Sequence, residues 1–136
     1  MKFRFITLSL LVLITLLACK AGPTYSNEGS PSNPVLLTVG NTHSGTIGIF
    51  GESFYKFLAV ASASHTIALT NMQSDLDWYL YDDASYSNRI DLCDELYGPI
   101  DEIKSTVSLT NGVTYYLSVW EWDYIDGTFD LKITYP

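Results

Sequence analysis

The sequence predicts an all-β fold: an antiparallel β-sandwich or jelly roll of about eight strands, entered from a polar N-terminal stretch. Three observations predict it. From Val35 to Tyr135 apolar and polar residues alternate with period two in short runs, as strands with one buried face require. Turn-forming residues separate most of the runs: Gly40-Asn41, Gly51, Asn71, Asn111-Gly112 and Asp126-Gly127. No run carries the i, i+3, i+4 apolar stripe of a helix.

The runs place strands at 35–39, 42–49, 53–60, 66–70, 76–81, 103–109, 113–120 and 128–135. Alternation then assigns faces, because successive side chains point to opposite sides of a sheet. Leu76, Trp78 and Leu80 oppose Asp75, Asp77, Tyr79 and Tyr81. Val113, Tyr115, Leu117 and Val119 oppose Thr114, Tyr116, Ser118 and Trp120. Phe129, Leu131, Ile133 and Tyr135 oppose Thr128, Asp130, Lys132 and Thr134. The first set of each is expected inside, since the second holds the charges. Tyr55, Phe57, Ile67, Leu69, Val107 and Leu109 complete the expected core. Asn111-Gly112 reads as a type I′ hairpin turn, because both residue types accept positive φ.

The N-terminus has a different character. Lys2 and Arg4 precede an apolar run from Phe5 to Ala18, the length of a signal-peptide core and too short for an ordinary membrane span. It ends Leu16-Leu17-Ala18-Cys19. This resembles the bacterial lipobox, Leu-x-Ala/Gly-Cys, with Leu17 where a smaller residue is commoner. The resemblance implies that residues 1–18 are removed and that Cys19 becomes a diacylated, palmitate-type lipid anchor, with the membrane as partner. One acyl chain holds a protein marginally; two or three hold it stably. Lys20 after the cysteine favours the outer membrane or cell surface over the inner membrane where that sorting rule operates. Residues 20–34, KAGPTYSNEGSPSNP, have three prolines and few apolar side chains, so 19–34 reads as a lipidated tether and 35–136 as the domain.

Loss of the signal leaves 118 residues, enough for one domain, and takes the formal charge from −8 to −10. Such acidity excludes nucleic acid as a natural partner. Once Cys19 is acylated only Cys93 remains, expected as a semi-buried small hydrophobe or, alternatively, an intermolecular disulfide partner.

Four stretches of the domain resemble the bacterial pre-peptidase C-terminal (PPC) module. They are Phe54-Tyr55-Lys56-Phe57, Asp75-Leu76-Asp77-Trp78-Tyr79-Leu80-Tyr81, Gly112-Val113-Thr114-Tyr115-Tyr116-Leu117-Ser118-Val119, and Gly127-Thr128-Phe129-Asp130-Leu131-Lys132-Ile133. Their order and spacing match from about Val35 to Tyr135. The resemblance implies a small non-catalytic β-sandwich, of the kind appended to secreted proteases and related to the collagen-binding modules of bacterial collagenases. Some of those bind calcium. Here the aspartates of that site fall on Gly51 and Ser53 around Glu52, and its acidic lead-in is reduced to Asn27-Glu28-Gly29-Ser30-Pro31, so no metal and no cofactor are expected.

No catalytic motif surrounds His43 or His65, so an enzyme is not expected. The acids Asp82, Asp83, Asp91, Asp94, Glu95, Asp101 and Glu102 read as a solvated connection without calcium-loop spacing, a weak calcium site being the alternative. The aromatic residues are more informative. Tyr79, Tyr81, Tyr116 and Trp120 fall on the outward side of their strands, with Trp122 and Tyr124 in the following loop. Exposed Tyr and Trp offer flat area at low rotamer cost and mark interaction surfaces. The plain alternative is that tyrosine suits strands, or that the 82–102 connection covers these rings. The expectation is a lipid-anchored binding module presenting these six residues to a protein or polysaccharide ligand; the alternative is a structural or accessory envelope lipoprotein beside a separate protease or complex.

Overall fold

The structure is a computed structural model that describes residues 24–94 and 97–136. The signal at 1–18, Cys19, the tether residues up to 23, and Glu95 of the acidic connection lie outside the described residues. Among the described residues, nine strands form two facing sheets: β1 (Val35–Leu36), β2 (Thr42–Ile47), β3 (Glu52–Leu58), β4 (Ala63–Thr70), β5 (Leu76–Tyr81), β6 (Arg89–Cys93), β7 (Glu102–Leu109), β8 (Thr114–Glu121) and β9 (Gly127–Thr134). One sheet has the order β1-β3-β8-β5-β6 and the other β2-β9-β4-β7. Every pairing is antiparallel except the short parallel β1–β3 contact. The predicted sandwich is therefore the observed one.

Only β5 and β6 are both consecutive and paired; every other connection between consecutive strands crosses between sheets. Asn111-Gly112 is such a crossing, not a hairpin. Gly112 has positive φ but Asn111 does not, which excludes a type I′ turn. The turn is closed by Val113 N–H donating to the Thr110 carbonyl at 3.2 Å, and Gly112 N–H reaches back to Ala59 at 2.9 Å.

The core follows the period-two pattern in the strand interiors. Tyr55, Phe57, Ile67, Leu69, Trp78, Leu80, Leu117, Val119, Phe129, Leu131 and Ile133 are buried between the sheets, joined by Leu37, Ile47 and Met72. Tyr115 stacks on Phe57 with ring centroids 6.0 Å apart, and its hydroxyl accepts the Thr110 N–H at 3.1 Å. Two expected core residues are exposed, Val113 and Tyr135. Each lies just beyond a strand end, where the pleat no longer dictates direction: Val113 is bound by its backbone in the crossing turn, and Tyr135 follows β9 and lies beside His65.

The expected tether also needs correction over its described part. Tyr25 N–H donates to Asp126 Oδ2 at 2.8 Å, the Ser26 carbonyl accepts from Thr46 at 2.8 Å, and Glu28 N–H donates to Ser53 Oγ at 2.9 Å. The Phe54 N–H donates to the Glu28 carbonyl at 2.8 Å. Residues 25–28 thus bridge β2 of one sheet and β3 of the other, and the folded unit begins before 35. Composition suggested a free tether because the segment has few apolar side chains; it docks by backbone hydrogen bonds instead. Gly51 permits that docking, since a Cβ there would collide with the Asn27 side chain.

Candidate functional site

The outer face of the five-stranded sheet carries the aromatic residues. Cross-strand register sets Asp77 opposite Trp120, Tyr79 opposite Ser118, and Tyr81 opposite Tyr116. Beyond β5, the edge strand β6 brings Arg89 opposite Tyr81. Tyr79, Tyr81, Arg89, Trp120 and Trp122 line one cleft of about 220 Å³. Trp120 and Trp122 stack at 5.8 Å with planes 20° apart, and the Arg89 guanidinium lies 5.3 Å from the Tyr79 ring centre. Four of the six expected ligand residues therefore share one concave site.

The other two stand elsewhere. Tyr116 packs edge-on against Tyr86 at 5.6 Å, outside the cleft. Tyr124 packs against Phe50 at 4.0 Å at the end of the sandwich. Tyr79, expected exposed, is buried, as are the outward-pointing Asp75 and Asp77. For Tyr79 the connection between 82 and 102 supplies the cover, since its Arg89 lies over the ring; Asp75 and Asp77 also meet Asp123 and Trp122 of the turn after β8, and the connection is not a plain solvated loop. Its residues 89–93 form β6 and flank β5, and its turn returns Tyr86 over the sheet. Tyr86 touches Phe54 at 4.9 Å and Tyr81 at 5.3 Å, and its hydroxyl donates to the Tyr55 carbonyl at 3.0 Å.

Asp83 organises that turn. Its carboxylate accepts from the Ser87 N–H at 3.1 Å, the Asn88 N–H at 3.0 Å, and the Ser85 and Ser87 hydroxyls. Those bonds hold its carboxyl below the ordinary aspartate range, the Ser85 contact most of all. Asp83 followed by Ala-Ser-Tyr-Ser-Asn was the available signal for this turn. Asp91 pairs with Lys104 at 2.5 Å, and the Cys93 thiol, buried as expected, donates to Glu102 Oε2 at 2.7 Å.

Beside the cleft, in contact with Tyr79 and Trp122, lies the buried carboxyl of Asp77. Burial first, and then the neighbouring charges of Asp75, Asp94 and Glu102, push Asp77 up to about 7, against an opposing contact from Trp122. Burial, with Asp77 and Asp94, likewise pushes Tyr79 up to about 12. Its hydroxyl lies 3.4 Å from Asp77 Oδ2. Asp77 holds its proton more tightly folded than unfolded. Its stabilising contribution is complete below the ordinary value of 3.8 and is lost as pH rises toward about 7. Asp77→Asn should therefore flatten the fall in melting temperature between pH 4 and pH 8. At pH 8 the variant should melt about 4 °C higher, the equivalent of about 1 kcal/mol in a domain of this size. Parallel melting curves for the two proteins across that range would refute the assignment.

At the opposite edge of the core, Glu28 Oε2 lies 2.6 Å from His43 Nε2 and accepts the Tyr55 hydroxyl at 3.1 Å. Asn27 accepts the Gly48 N–H at 2.9 Å. The acidic lead-in is thus committed to protein donors. Among the described residues no three His, Cys, Asp or Glu side chains are grouped to hold a metal ion. What the cleft offers is recognition chemistry: flat rings to stack on and a guanidinium.

No protein-family model matches the chain, and no curated protein matches it. Solved structures do match. The pre-peptidase C-terminal domain of a collagenase from Bacillus anthracis superposes with a TM-score of 0.54 at 18% identity, covering 78% of this chain and 99% of that domain. PliG from Salmonella Typhimurium, a periplasmic inhibitor of g-type lysozyme, superposes with a TM-score of 0.50 at 16% identity, covering 76% of this chain and 98% of its own. The chain therefore has a PPC-like β-sandwich fold.

Proposed function

We propose that this protein is a lipid-anchored, non-catalytic binding module of the cell envelope, and that the Tyr79–Tyr81–Arg89–Trp120–Trp122 cleft is its recognition site. The observation that carries the reading is the convergence of four outward aromatic residues and one arginine on a single cleft. Concave aromatic sites with a few placed polar groups are the usual form of a ligand site. The supporting likeness is one of fold: one structural neighbour belongs to a collagenase and another is a periplasmic inhibitor. An extracytoplasmic place is consistent with the periplasmic neighbour and with the export signal read at 1–18.

A photo-crosslinking residue at Tyr81 tests the recognition site in intact cells. It should capture one defined protein or glycan species, whereas the same residue at Thr106, exposed on the other sheet, should not. Equal capture from both positions would overturn the proposal. Anchoring has its own test. Cys19→Ala should abolish incorporation of a fatty-acid analogue and release the protein from membranes or trap the precursor. A variant that still carries lipid would refute the anchor.

A further inference from the structure

The end of the sandwich nearest the N-terminal segment carries an apolar tip outside the cleft. It is built by the β2–β3 turn (48–51) and the β8–β9 turn (122–126), of which only Trp122 also lines the cleft. Ile49, Phe50, Tyr124 and Ile125 are 56, 61, 65 and 49% exposed. These side chains are held out rather than merely left out. Phe50 and Tyr124 both have left-handed backbones, at φ 52° and 64°, a conformation that costs a non-glycine residue energy and persists where surroundings impose it. The imposing group is Glu121. Its buried carboxylate accepts the Phe50 N–H at 2.7 Å and the Ile125 N–H at 3.0 Å, clamping the two turns together.

We infer that this tip is a second membrane contact, inserting its four apolar side chains into a zwitterionic bilayer surface beside the lipid anchor. The inference rests on Cys19 being the anchor. Tyr25 is bonded to Asp126 within the tip, so the chain enters the domain there. The six-residue step from Cys19 to Tyr25 spans at most ~20 Å. An anchored domain therefore carries this end close to the bilayer. Neither turn contains lysine or arginine, and Asp123 and Asp126 flank Tyr124-Ile125. Both acids are turned to backbone donors, Asp75 N–H at 3.2 Å and Tyr25 N–H at 2.8 Å, yet their charge still repels anionic headgroups. Tyrosine with aliphatic neighbours suits the headgroup boundary, and anchoring by acyl chains is strengthened by a second contact.

The test uses the mature chain from Cys19 with Cys93→Ser, coupled through Cys19 to a maleimide lipid in phosphatidylcholine vesicles. Chemical coupling makes the result independent of whether cells acylate Cys19, which fatty-acid labelling answers separately. Brominated acyl chains should quench part of the tryptophan emission, that of Trp122 in the β8–β9 turn, while the fully buried Trp78 is spared. Phe50→Asn with Tyr124→Asn should remove most of that quenching, since asparagine tolerates the left-handed backbone and the fold is kept. Leu58→Asn, exposed at the far end of β3, should leave it unchanged. Adding phosphatidylglycerol should weaken it. An anchored wild-type chain whose tryptophan emission is indifferent to brominated lipid, or a double variant quenched like wild type, would overturn the inference. So would quenching that depends on anionic lipid.

Discussion

Leu117→Asp is expected to unfold the domain. Leu117 lies in β8, which is paired on both sides, opposite Tyr55 on β3 and Leu80 on β5, and it has no exposed surface. An aspartate there must bury an unpaired charge or hold its proton at a cost of several kcal/mol, while also leaving the leucine's volume unfilled. Small domains are stable by only about 5–15 kcal/mol. Far-UV circular dichroism should show loss of the β spectrum, or urea unfolding should lose most of its midpoint. Thr114→Asp, exposed three residues earlier on the same strand, should change stability by no more than about 0.5 kcal/mol. A Leu117→Asp protein that unfolds cooperatively within about 1 kcal/mol of wild type would mean that the two faces of β8 are inverted.

That contrast depends on alternation, which was legible wherever a strand has one wet and one dry face. β5 appears at the predicted residues, and the inner residues of β3, β8 and β9 are buried as expected. Legibility failed where other forces set the structure. β6 is an edge strand of sequence RIDLC with a mostly solvated surface, so it lacks the apolar rhythm that reveals a buried strand. Asn111-Gly112 marks a turn correctly, but the partner strands belong to different sheets, a nonlocal fact that a dipeptide does not contain. Docking of residues 25–28 uses backbone donors and acceptors, which every composition possesses.

The site was half legible for the same reason. Period two places Tyr79, Tyr81 and Trp120 on one face, but it does not say what returns over that face. Asp83 bends the chain so that Tyr86 covers Tyr116 and β6 delivers Arg89. Tyr86 itself has positive φ, 54°, so its direction comes from turn geometry rather than strand rhythm. Phe50 escaped notice because a lone aromatic between Ile49 and Gly51 has no periodic context. Its significance appears only when Glu121, 71 residues later, binds its N–H.

The cleft makes a prediction that separates binding from folding within β8. Trp120→Ala should weaken capture of the species crosslinked from Tyr81 at least tenfold. Truncating a central aromatic anchor typically costs about 2 kcal/mol, and about 1.4 kcal/mol is a factor of ten. Its stability cost should be small, because the half-buried ring leans on exposed Trp122 rather than on the core. Tyr115→Ala should do the reverse: it removes a buried ring stacked on Phe57 and the acceptor of the Thr110 N–H, at about 3 kcal/mol or more. Tyr116→Ala should fall between them in stability, through loss of its Tyr86 contact, and should bind nearly as well as wild type. Denaturant curves and binding isotherms on the three variants decide the matter together. If Tyr116→Ala loses binding as severely as Trp120→Ala while remaining folded, recognition spreads across the whole outer face. If Trp120→Ala binds like wild type, the cleft is not the recognition site, because no ligand that fills it could be indifferent to one of its walls.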